Sequence, residues 1–398
     1  MYINIIIVMV CVAVYSLLAK RLSSTILTAP IIFMVLGYAL SFNNTASLEH
    51  AEGILHLVAE AALIILLFAD ASMINFDALR KRYIWPQRML LIGLPLAVLF
   101  GVGVASVLLR DWSIFAVALV ASILAPTDAA LGQAVISNAR VPARERRTLV
   151  IESGLNDGLA LPIVLFFSCT LATMEGEHDS NFLLFVIQQL TLGPGIGILL
   201  GWLGGHALMY AHKRGLSESH FEGVAAIAIA VTAYVGAGMV DGNGFIAAFC
   251  AGLAFGKVAK PRIKHVQEFV ESEGQILVWS SFFLIGLVLL PEALHYLDLA
   301  TLTLILLSLF VTRPLAIYLS LIGTGAKPTT RLFFGWFGPR GLATALFALL
   351  VVGEINQTYA EPVLMIAINA VWISTLLHGF SAAPGANWYA RKASKKNS

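Results

Sequence analysis

Thirteen apolar segments separated by short polar loops constrain the fold of this chain more than any other feature of its sequence. Each segment is about long enough to cross a bilayer as a helix, and in lipid the backbone groups of such a segment must be hydrogen-bonded internally. Charged residues make up only 12% of the 398 residues, about half the fraction usual in soluble proteins. The sequence therefore predicts an all-α polytopic membrane protein with about 13 transmembrane helices.

The predicted spans are numbered in chain order. They cover approximately residues 2–18, 24–40, 54–71, 87–109, 113–135, 147–173, 182–211, 221–240, 244–259, 268–290, 297–322, 331–353 and 360–380. The ninth span is short, so a count of twelve stays open.

The loops carry their positive charges on alternate sides of the predicted membrane. Of the 25 Lys and Arg residues, 22 lie in one set of loops, and the opposite loops hold only Arg110. Cytoplasmic loops are enriched in Lys and Arg, which predicts an outside N-terminus and a cytoplasmic C-terminus in the inner (plasma) membrane. Residues 381–398 are predicted to form a short basic cytoplasmic tail. No nucleic-acid partner is expected.

Two predicted spans contain helix breakers near mid-membrane. Span 5 contains Pro126-Thr127-Asp128, and span 12 contains Gly338-Pro339-Arg340-Gly341. Proline removes a backbone donor and clashes with the preceding turn, and irregular backbone at this depth must be buried in protein or line a cavity. A simple proline kink would explain either break alone.

The positions of the two breaks suggest an internal repeat. If residues 1–173 and 221–380 are six-span halves joined by a linker span at 182–211, each broken span is the fifth member of its half. This is the arrangement of inverted repeats whose broken helices cross at a substrate site. We therefore predict one transmembrane domain over residues 1–398.

Span 6 contains two carboxylates in an apolar run, Glu152 and Asp157. Charged groups at this depth are costly and usually face a cavity. Ser153 and Asp157 are four residues apart and share one helix face, while Glu152 and Asn156 share a neighbouring face. One face can therefore offer a carboxylate and a hydroxyl to a small cation. A buried carboxylate in a structural ion pair is the alternative.

Five ionisable residues are predicted to lie deep in the membrane: Asp128, Glu152, Asp157, Arg313 and Arg340. Counted as ionised, they sum to minus one. Counting residues from the cytoplasmic side favours Glu152–Arg340 as the structural pair and leaves Asp157 unpaired. Asp128 is placed to cap a half-helix. Arg313 is either a buried member of this group or extends toward the cytoplasm.

Other charged residues in or beside the spans are assigned structural roles. Asp70 lies near the cytoplasmic end of span 3 and is interpreted as interfacial, while Glu60 is expected to face a neighbouring helix. None of the nine histidines is assigned to a site.

In these motifs the sequence resembles the NhaP-type sodium/proton antiporters. They form the electroneutral branch of the monovalent cation:proton antiporters and are related to the sodium/hydrogen exchangers. The Asn156-Asp157 pair separates this branch from electrogenic relatives that have Asp-Asp. The resemblance covers nearly the whole chain and rests on Pro126-Thr127-Asp128, Glu152-Ser153-Gly154-Leu155-Asn156-Asp157-Gly158, Gly338-Pro339-Arg340-Gly341, Phe221-Glu222-Gly223 and Asn243-Gly244-Phe245-Ile246-Ala247-Ala248-Phe249.

This resemblance implies an NhaA-like fold and a homodimer in which a six-helix core domain moves against a dimerisation domain. It implies that Asp157 binds both the cation and the proton. Ser153 and Thr127, the latter through its backbone, would complete the Na⁺ site with Glu152. It also implies that Glu152 pairs with Arg340. No cofactor is expected besides the transported Na⁺ and H⁺.

The predicted function is electroneutral exchange of one Na⁺ for one H⁺ by elevator-type alternating access, and no enzyme activity is expected. Li⁺ or K⁺ can use the same hard oxygen ligands. An ion-coupled symporter of organic solutes is an alternative, although it needs a larger polar cavity. An intramembrane aspartyl protease is another, although the Gly-x-Gly-Asp signature is absent. An ion channel is a third.

Overall fold

The computed structural model is helical throughout the parts of the chain that it describes. These parts are residues 2–22, 28–42, 48–74, 84–128, 130–136, 138–174, 182–260 and 263–394. The helices of the first half are α1 (Tyr2–Leu22), α2 (Ala29–Ser41), α3 (Leu48–Ser72), α4 (Ile84–Leu108), α5 (Ile114–Ile123), α6 (Gln133–Ile136) and α7 (Ala143–Met174). Those that follow are α8 (Phe182–Lys213), α9 (Ser219–Gly238), α10 (Gly244–Val258), α11 (263–295), α12 (Leu299–Ser320), α13 (Pro328–Trp336), α14 (Leu342–Val352) and α15 (Gln357–Ser394).

The lengths of these helices confirm a multi-pass membrane protein. Among the described residues, eight helices are long and apolar enough to cross a membrane, and five more apolar helices have 10–17 residues. The count of about thirteen spans stays a prediction, because the shorter helices fall below the length of a full crossing. Several loop cations used to predict the orientation, including those at 80–82 and 262, lie outside the described residues.

The helices pack into two bundles. The scaffold bundle consists of α1–α3 and α8–α11, and the crossing bundle consists of α4–α7 and α12–α15. Each bundle therefore takes helices from both predicted halves of the chain, and the predicted linker span, α8, packs in the scaffold bundle against α10.

Glycines bring neighbouring backbones into direct contact inside the scaffold bundle. A methyl group at Gly197 or Gly201 of α8 would collide with the backbone of α10. The same holds at Gly252 and Gly256 of α10, which face the backbone of α3. Small residues allow this close approach between helices in membranes, so α3, α8 and α10 form one tightly packed unit.

The two predicted breaks are present, and they cross each other. Helix α5 ends at Ile123 and helix α13 at Trp336, and non-helical backbone follows each. The Asp128 amide of the first break donates a hydrogen bond to the Pro339 carbonyl of the second at 2.9 Å. The crossing therefore satisfies backbone groups that the interrupted helices leave free.

Three helices contain a π-helical turn that the sequence analysis did not predict. The turns are Met89–Gly93 in α4, Ile285–Leu289 in α11 and Ser308–Thr312 in α12. Each is followed, after one residue, by a proline: Pro95, Pro291 and Pro314. Proline lacks a donor and clashes with the carbonyl four residues earlier, and a wider turn accommodates both effects.

The stretch predicted as a tail from residue 381 is helical as far as Ser394, and residues 395–398 lie outside the described part. Tyr389 is buried and stacks on Phe333 of α13, with ring centroids 4.0 Å apart. Its hydroxyl donates to Glu145 of α7 at 3.0 Å. Residues up to Tyr389 therefore belong to the packed crossing bundle, because their apolar and aromatic side chains outweigh the nearby cations.

Candidate cation site

The candidate site lies on α7, where it packs against the first break. Asp157 is partly exposed as a residue, but its Oδ1 atom is fully buried and has no hydrogen-bond partner among the described residues. The side-chain oxygen of Asn156 is buried and unpartnered in the same way. Buried polar atoms without a partner are rare in native structures. The protein therefore leaves two neighbouring oxygens available to a ligand at this point.

Hydrogen bonds hold one turn of α7 against the extended backbone of the first break. Ser153 Oγ donates to the Thr127 carbonyl at 2.7 Å, and Thr127 Oγ1 donates to Glu152 Oε2 at 3.3 Å. The Asn156 amide donates in turn to Thr127 Oγ1. The predicted residues Thr127, Glu152 and Ser153 thus lie together beside Asn156 and Asp157.

The buried ion pair differs from the predicted one. Glu152 Oε1 accepts a hydrogen bond from Arg313 Nη2 at 3.1 Å, and both side chains are buried. Arg313 therefore lies in the buried group and does not extend toward the cytoplasm. Because Glu152 Oε2 also accepts from Thr127, both of its carboxylate oxygens already have partners within the protein.

Arg340, the predicted partner of Glu152, binds the crossing itself. Its Nη1 donates to the carbonyls of Gly338 at 3.2 Å and Pro126 at 3.4 Å, and its Nη2 donates to Ser308 Oγ at 3.4 Å. The prediction was wrong because each break frees carbonyl oxygens that compete for the guanidinium. Its side chain is only 1% exposed, so these acceptors replace water.

Asp128 caps a half-helix, as its position after the break suggested, but the helix belongs to the other broken span. Its Oδ2 accepts from the amide of Leu342, the first residue of α14, at 2.9 Å. A carboxylate is favourable at a helix N-terminus. A methyl group at Gly341 would collide with this carboxylate, so the glycine allows the close approach.

A histidine network that the sequence analysis missed supports the second break from α15. The Arg340 amide donates to Ser374 Oγ at 2.7 Å, and Ser374 Oγ lies 3.1 Å from His378 Nδ1. His378 Nε2 lies 2.9 Å from the carbonyl of Trp336, the last residue of α13. In the tautomer with the proton on Nε2, this nitrogen donates to the Trp336 carbonyl and Nδ1 accepts from Ser374 Oγ, while Nδ1 also lies 3.0 Å from the Ser374 carbonyl. A histidine one turn after a serine in an apolar span was the available signal.

Asp70 is also closer to the site than its predicted interfacial role implied. A methyl group at Gly154 would lie 3.4 Å from Asp70 Cβ, so α3 contacts α7 one turn from Asp157. Asp70, Asp128 and Glu152 all interact electrostatically with Asp157. With Asp70 included, the acidic and basic groups near the crossing sum to minus two. In the sequence, the sign that Asp70 belongs near the site was its position as a carboxylate inside an apolar span.

The oxygens around Asp157 suit a small hard cation. They are the Asp157 carboxylate, the Asn156 side-chain oxygen, the Ser153 hydroxyl and the Thr127 carbonyl. Carboxylate, carbonyl and hydroxyl oxygens are preferred by hard cations, whereas softer transition metals favour thiolate and imidazole. Glu152 fits better as the group that orients Thr127, because Arg313 already balances its charge and Thr127 contacts its second oxygen.

Comparisons with known proteins find similar sequences among named antiporters. The chain is 26% identical to the K(+)/H(+) antiporter NhaP of Alkalimonas amylolytica, over 96% of its own length and 66% of the relative's. It is also 26% identical to the K(+)/H(+) antiporter NhaP2 of Shewanella sp. (strain ANA-3), over 83% of its own length and 57% of the relative's. The chain thus spans less than two thirds of these relatives. Both are named as antiporters, in agreement with the expectation that the chain is not an enzyme.

The fold is also shared with a solved antiporter. The structure matches that of the sodium proton antiporter MjNhaP1 from Methanocaldococcus jannaschii at pH 8, with a TM-score of 0.78 and 21% identity over 98% of both chains. Residues 5–388 match the family described as sodium/hydrogen exchanger, transmembrane. Because this match covers nearly the whole chain, including both breaks and the acidic turn of α7, the protein belongs to the sodium/hydrogen exchanger family.

Proposed function

We propose that this protein exchanges a monovalent cation for a proton across the membrane and that Asp157 binds both in turn. The observation that carries the proposal is the buried, unpartnered Oδ1 of Asp157 beside two crossed broken helices. A bound proton or a bound cation would each neutralise this carboxylate. The two ions therefore compete for one group, and competition for a carrier exposed alternately to each side produces exchange.

We propose Na⁺ as the principal cation, with Li⁺ and K⁺ as competitors. The relatives are named for both potassium and sodium exchange, and the oxygens near Asp157 are compatible with each ion. The proposal requires no cofactor. Neither a symporter of organic solutes nor an aspartyl protease gains support from these relatives.

The exchange is proposed to be electroneutral, with one cation for one proton. The charge near the crossing sums to minus two with Asp70 included, but stoichiometry depends only on the charge that changes between the two loaded states. If Asp157 alone takes up either ion, both loaded states carry the same charge. Without a bound ion, the protein carries one more negative charge than in either loaded state. Moving this charge through the low-dielectric barrier is costly, so movement of the empty carrier is disfavoured.

We propose that alternating access is an elevator-type movement of the crossing bundle against the scaffold bundle. Four scaffold glycines, Gly197, Gly201, Gly252 and Gly256, bring backbone against backbone, while others, such as Gly204 and Gly223, face side chains. Two contacts between the bundles are instead made by side chains, with Asp70 facing Gly154 and the Phe249 ring facing Gly158. As the bundles slide, such side-chain contacts can be exchanged more readily than close backbone-to-backbone contacts. A homodimer in the inner membrane, with the N-terminus outside and the C-terminus cytoplasmic, completes the proposal.

The decisive experiment compares wild type with Asp157→Asn in proteoliposomes that contain a pH-sensitive dye. An imposed Na⁺, Li⁺ or K⁺ gradient should drive proton movement in the wild type, and Asp157→Asn should reduce it at least about 100-fold because an amide cannot take up the proton. Asp241→Asn is the matched control, because Asp241 is exposed and has a φ of 56° that asparagine also tolerates. Exchange by a folded Asp157→Asn protein at the wild-type rate would overturn the proposal.

Electroneutrality is tested by setting the membrane voltage with a thiocyanate gradient, so that no transportable cation establishes it. A net charge moved per cycle would change the driving force by about 2.3 kcal/mol per 100 mV, which corresponds to about 50-fold in the equilibrium ion ratio. We expect the reversal point to stay at equal Na⁺ and H⁺ gradients. A reversal point that shifts with voltage would reject the 1:1 stoichiometry.

A further inference from the structure

A second polar site lies between the two bundles, away from Asp157. A cavity of about 100 Å³ is bounded on the scaffold side by His56 and Glu60 of α3 and by Tyr234 of α9. Its wall on the crossing bundle is apolar and consists of Leu346, Leu349 and Leu350 of α14. A cavity much larger than about 15 Å³ can hold water, and this one also has polar groups to bind it.

Glu60 is the acidic group of this cavity. Its side chain lies beside that of Tyr234 across the α3–α9 contact, and both line the cavity. Among the described residues that line the cavity, none is Lys or Arg. A carboxylate in a recess with low-dielectric walls concentrates cations, so the cavity favours a positive ion.

The cavity lies nearer the N-terminal end of α3 than the candidate cation site does, and apolar residues lie between the two along this helix. Glu60 and Asp70 are ten residues apart on α3, or about 15 Å along its axis. Between them, Leu63 and Leu67 are each only 2% exposed. On α14, Leu346 is one turn beyond Leu342, whose amide binds Asp128 at the crossing. Packed leucines therefore separate the cavity from Asp157 in this conformation.

The predicted orientation places this cavity on the outer side. Helix α14 runs from the crossing toward the acidic loop at Glu354, and that loop belongs to the set with few cations. The cavity wall on α14 belongs to the bundle proposed to move, whereas Glu60 and Tyr234 belong to the scaffold. Movement of α14 past Glu60 would open the barrier and join the cavity to Asp157.

We propose that Glu60, assisted by the Tyr234 hydroxyl, is an outer capture site for the hydrated monovalent cation. This inference rests on the proposed exchange function and adds a binding step on one side of the membrane. The site raises the local cation concentration at the outer entrance and holds the ion until the barrier opens. It acts only on the outer side, because the leucines separate it from the inner path.

The test measures exchange from each side separately, in right-side-out and inside-out membrane vesicles. We expect Glu60→Gln to raise the KM for outer Na⁺ about tenfold at low ionic strength and to leave the KM for inner Na⁺ and the kcat unchanged. Added choline chloride should reduce the outer effect by screening. Glu60→Asp, which keeps the charge, should behave like the wild type.

Two further variants distinguish capture from a structural role. Glu60→Gln removes the charge and keeps a polar side chain beside Tyr234, whereas Tyr234→Phe removes the hydroxyl and keeps the charge. If the pair only holds α3 against α9, Tyr234→Phe should be the more damaging change, and it should affect both sides equally. Glu361→Gln is the matched control, because Glu361 accepts from the Tyr296 hydroxyl at 2.6 Å on an exposed surface outside this cavity.

The outcomes separate this inference from the proposed function. A wild-type protein that exchanges normally, together with a Glu60→Gln protein whose outer KM is unchanged, overturns the capture site alone. Equal changes in the KM on both sides also overturn it. A wild-type protein that exchanges no cation for protons overturns the proposed function and this inference together.

Discussion

Two carboxylates five residues apart on α7 have different surroundings, and the difference separates their roles. Both oxygens of Glu152 are engaged, one by Arg313 and one by Thr127. The Oδ1 of Asp157 is buried without a partner in the described part of the chain. The charge of Glu152 is balanced by Arg313, so a cation gains less from binding Glu152 than from binding Asp157. The proposal that Asp157 is the exchanging residue therefore rests on the partners of each group more than on its depth in the membrane.

The first residue-scale prediction concerns the partner of Glu152. Removing Arg313 strands a buried carboxylate, so Arg313→Ala should lower the free energy of unfolding by about 3–5 kcal/mol. The double variant Glu152→Ala/Arg313→Ala should recover part of this loss, because it leaves neither charge alone. Thermal unfolding in detergent over a double-mutant cycle measures the coupling. A larger coupling between Glu152 and Arg340 would contradict the pairing in the structure.

The second residue-scale prediction concerns pH. If one proton leaves for each cation bound, the apparent KM for Na⁺ should rise about tenfold per unit of falling pH once Asp157 is mostly protonated. Initial rates at a series of Na⁺ concentrations and pH values give this slope. A limiting slope of about two decades per pH unit would mean that a second carboxylate, such as Asp70, releases a proton as well.

At the scale of elements, each broken helix is completed by groups from other helices. Asp128 of the first break caps α14, and His378 of α15 lies against the last carbonyl of α13. Helix ends leave backbone groups unsatisfied, and water cannot serve them at this depth. The crossing therefore depends on α15 as much as on the two broken spans themselves.

A variant of His378 tests this dependence. His378→Leu removes a donor to the Trp336 carbonyl, so it should cost about 1–3 kcal/mol of stability and lower the kcat more than it raises the KM for Na⁺. His378→Gln can still donate to this carbonyl and should restore part of both. Thermal unfolding and proteoliposome kinetics provide the two readouts. Equal behaviour of the leucine and glutamine variants would exclude a positioning role for the hydrogen bond.

The sequence predicted the helical class, both breaks and the residues of the acidic turn, because prolines and charges in apolar runs are visible without coordinates. It did not predict the partner of Glu152. Counting residues gives the height of a side chain in the membrane, but its direction around the helix also matters. The role of His378 was hidden because its partner, the Trp336 carbonyl, becomes available only through a break 42 residues away.

At the scale of the whole molecule, some contacts inside the scaffold bundle are closer than the glycine contacts between the two bundles. Backbone-to-backbone contacts at glycines join α3, α8 and α10 of the scaffold. The described glycine contacts between the bundles, at Gly154 and Gly158, face side chains instead. Such a division is expected of a rigid support and a part that moves against it.

Glycine-to-alanine variants test this division. Gly201→Ala would push against the α10 backbone and should cost about 1–3 kcal/mol of stability, while Gly154→Ala meets Asp70 Cβ at an ordinary 3.4 Å. We expect Gly154→Ala to keep the wild-type unfolding temperature and to change the turnover rate. Gly195→Ala is the control on α8, because nothing lies within 4 Å of its added methyl group. A Gly201→Ala protein that unfolds at a higher temperature than the Gly154→Ala protein would contradict a tightly packed scaffold bundle.

The π turn in α12 also restricts how the length of this helix can change during evolution. A π turn holds one residue more than the α-helical turn it replaces, so the extra residue is absorbed within that turn and the helix after it nearly keeps its direction. Deleting a residue from Ser308–Thr312 would therefore leave a regular helix with Arg313 still near Glu152, but the regular turn would bring Pro314 against the carbonyl four residues earlier. Relatives that lack this residue should therefore also lack the proline after Arg313. An insertion in an apolar run, which hydropathy does not register, would then be inherited together with that proline.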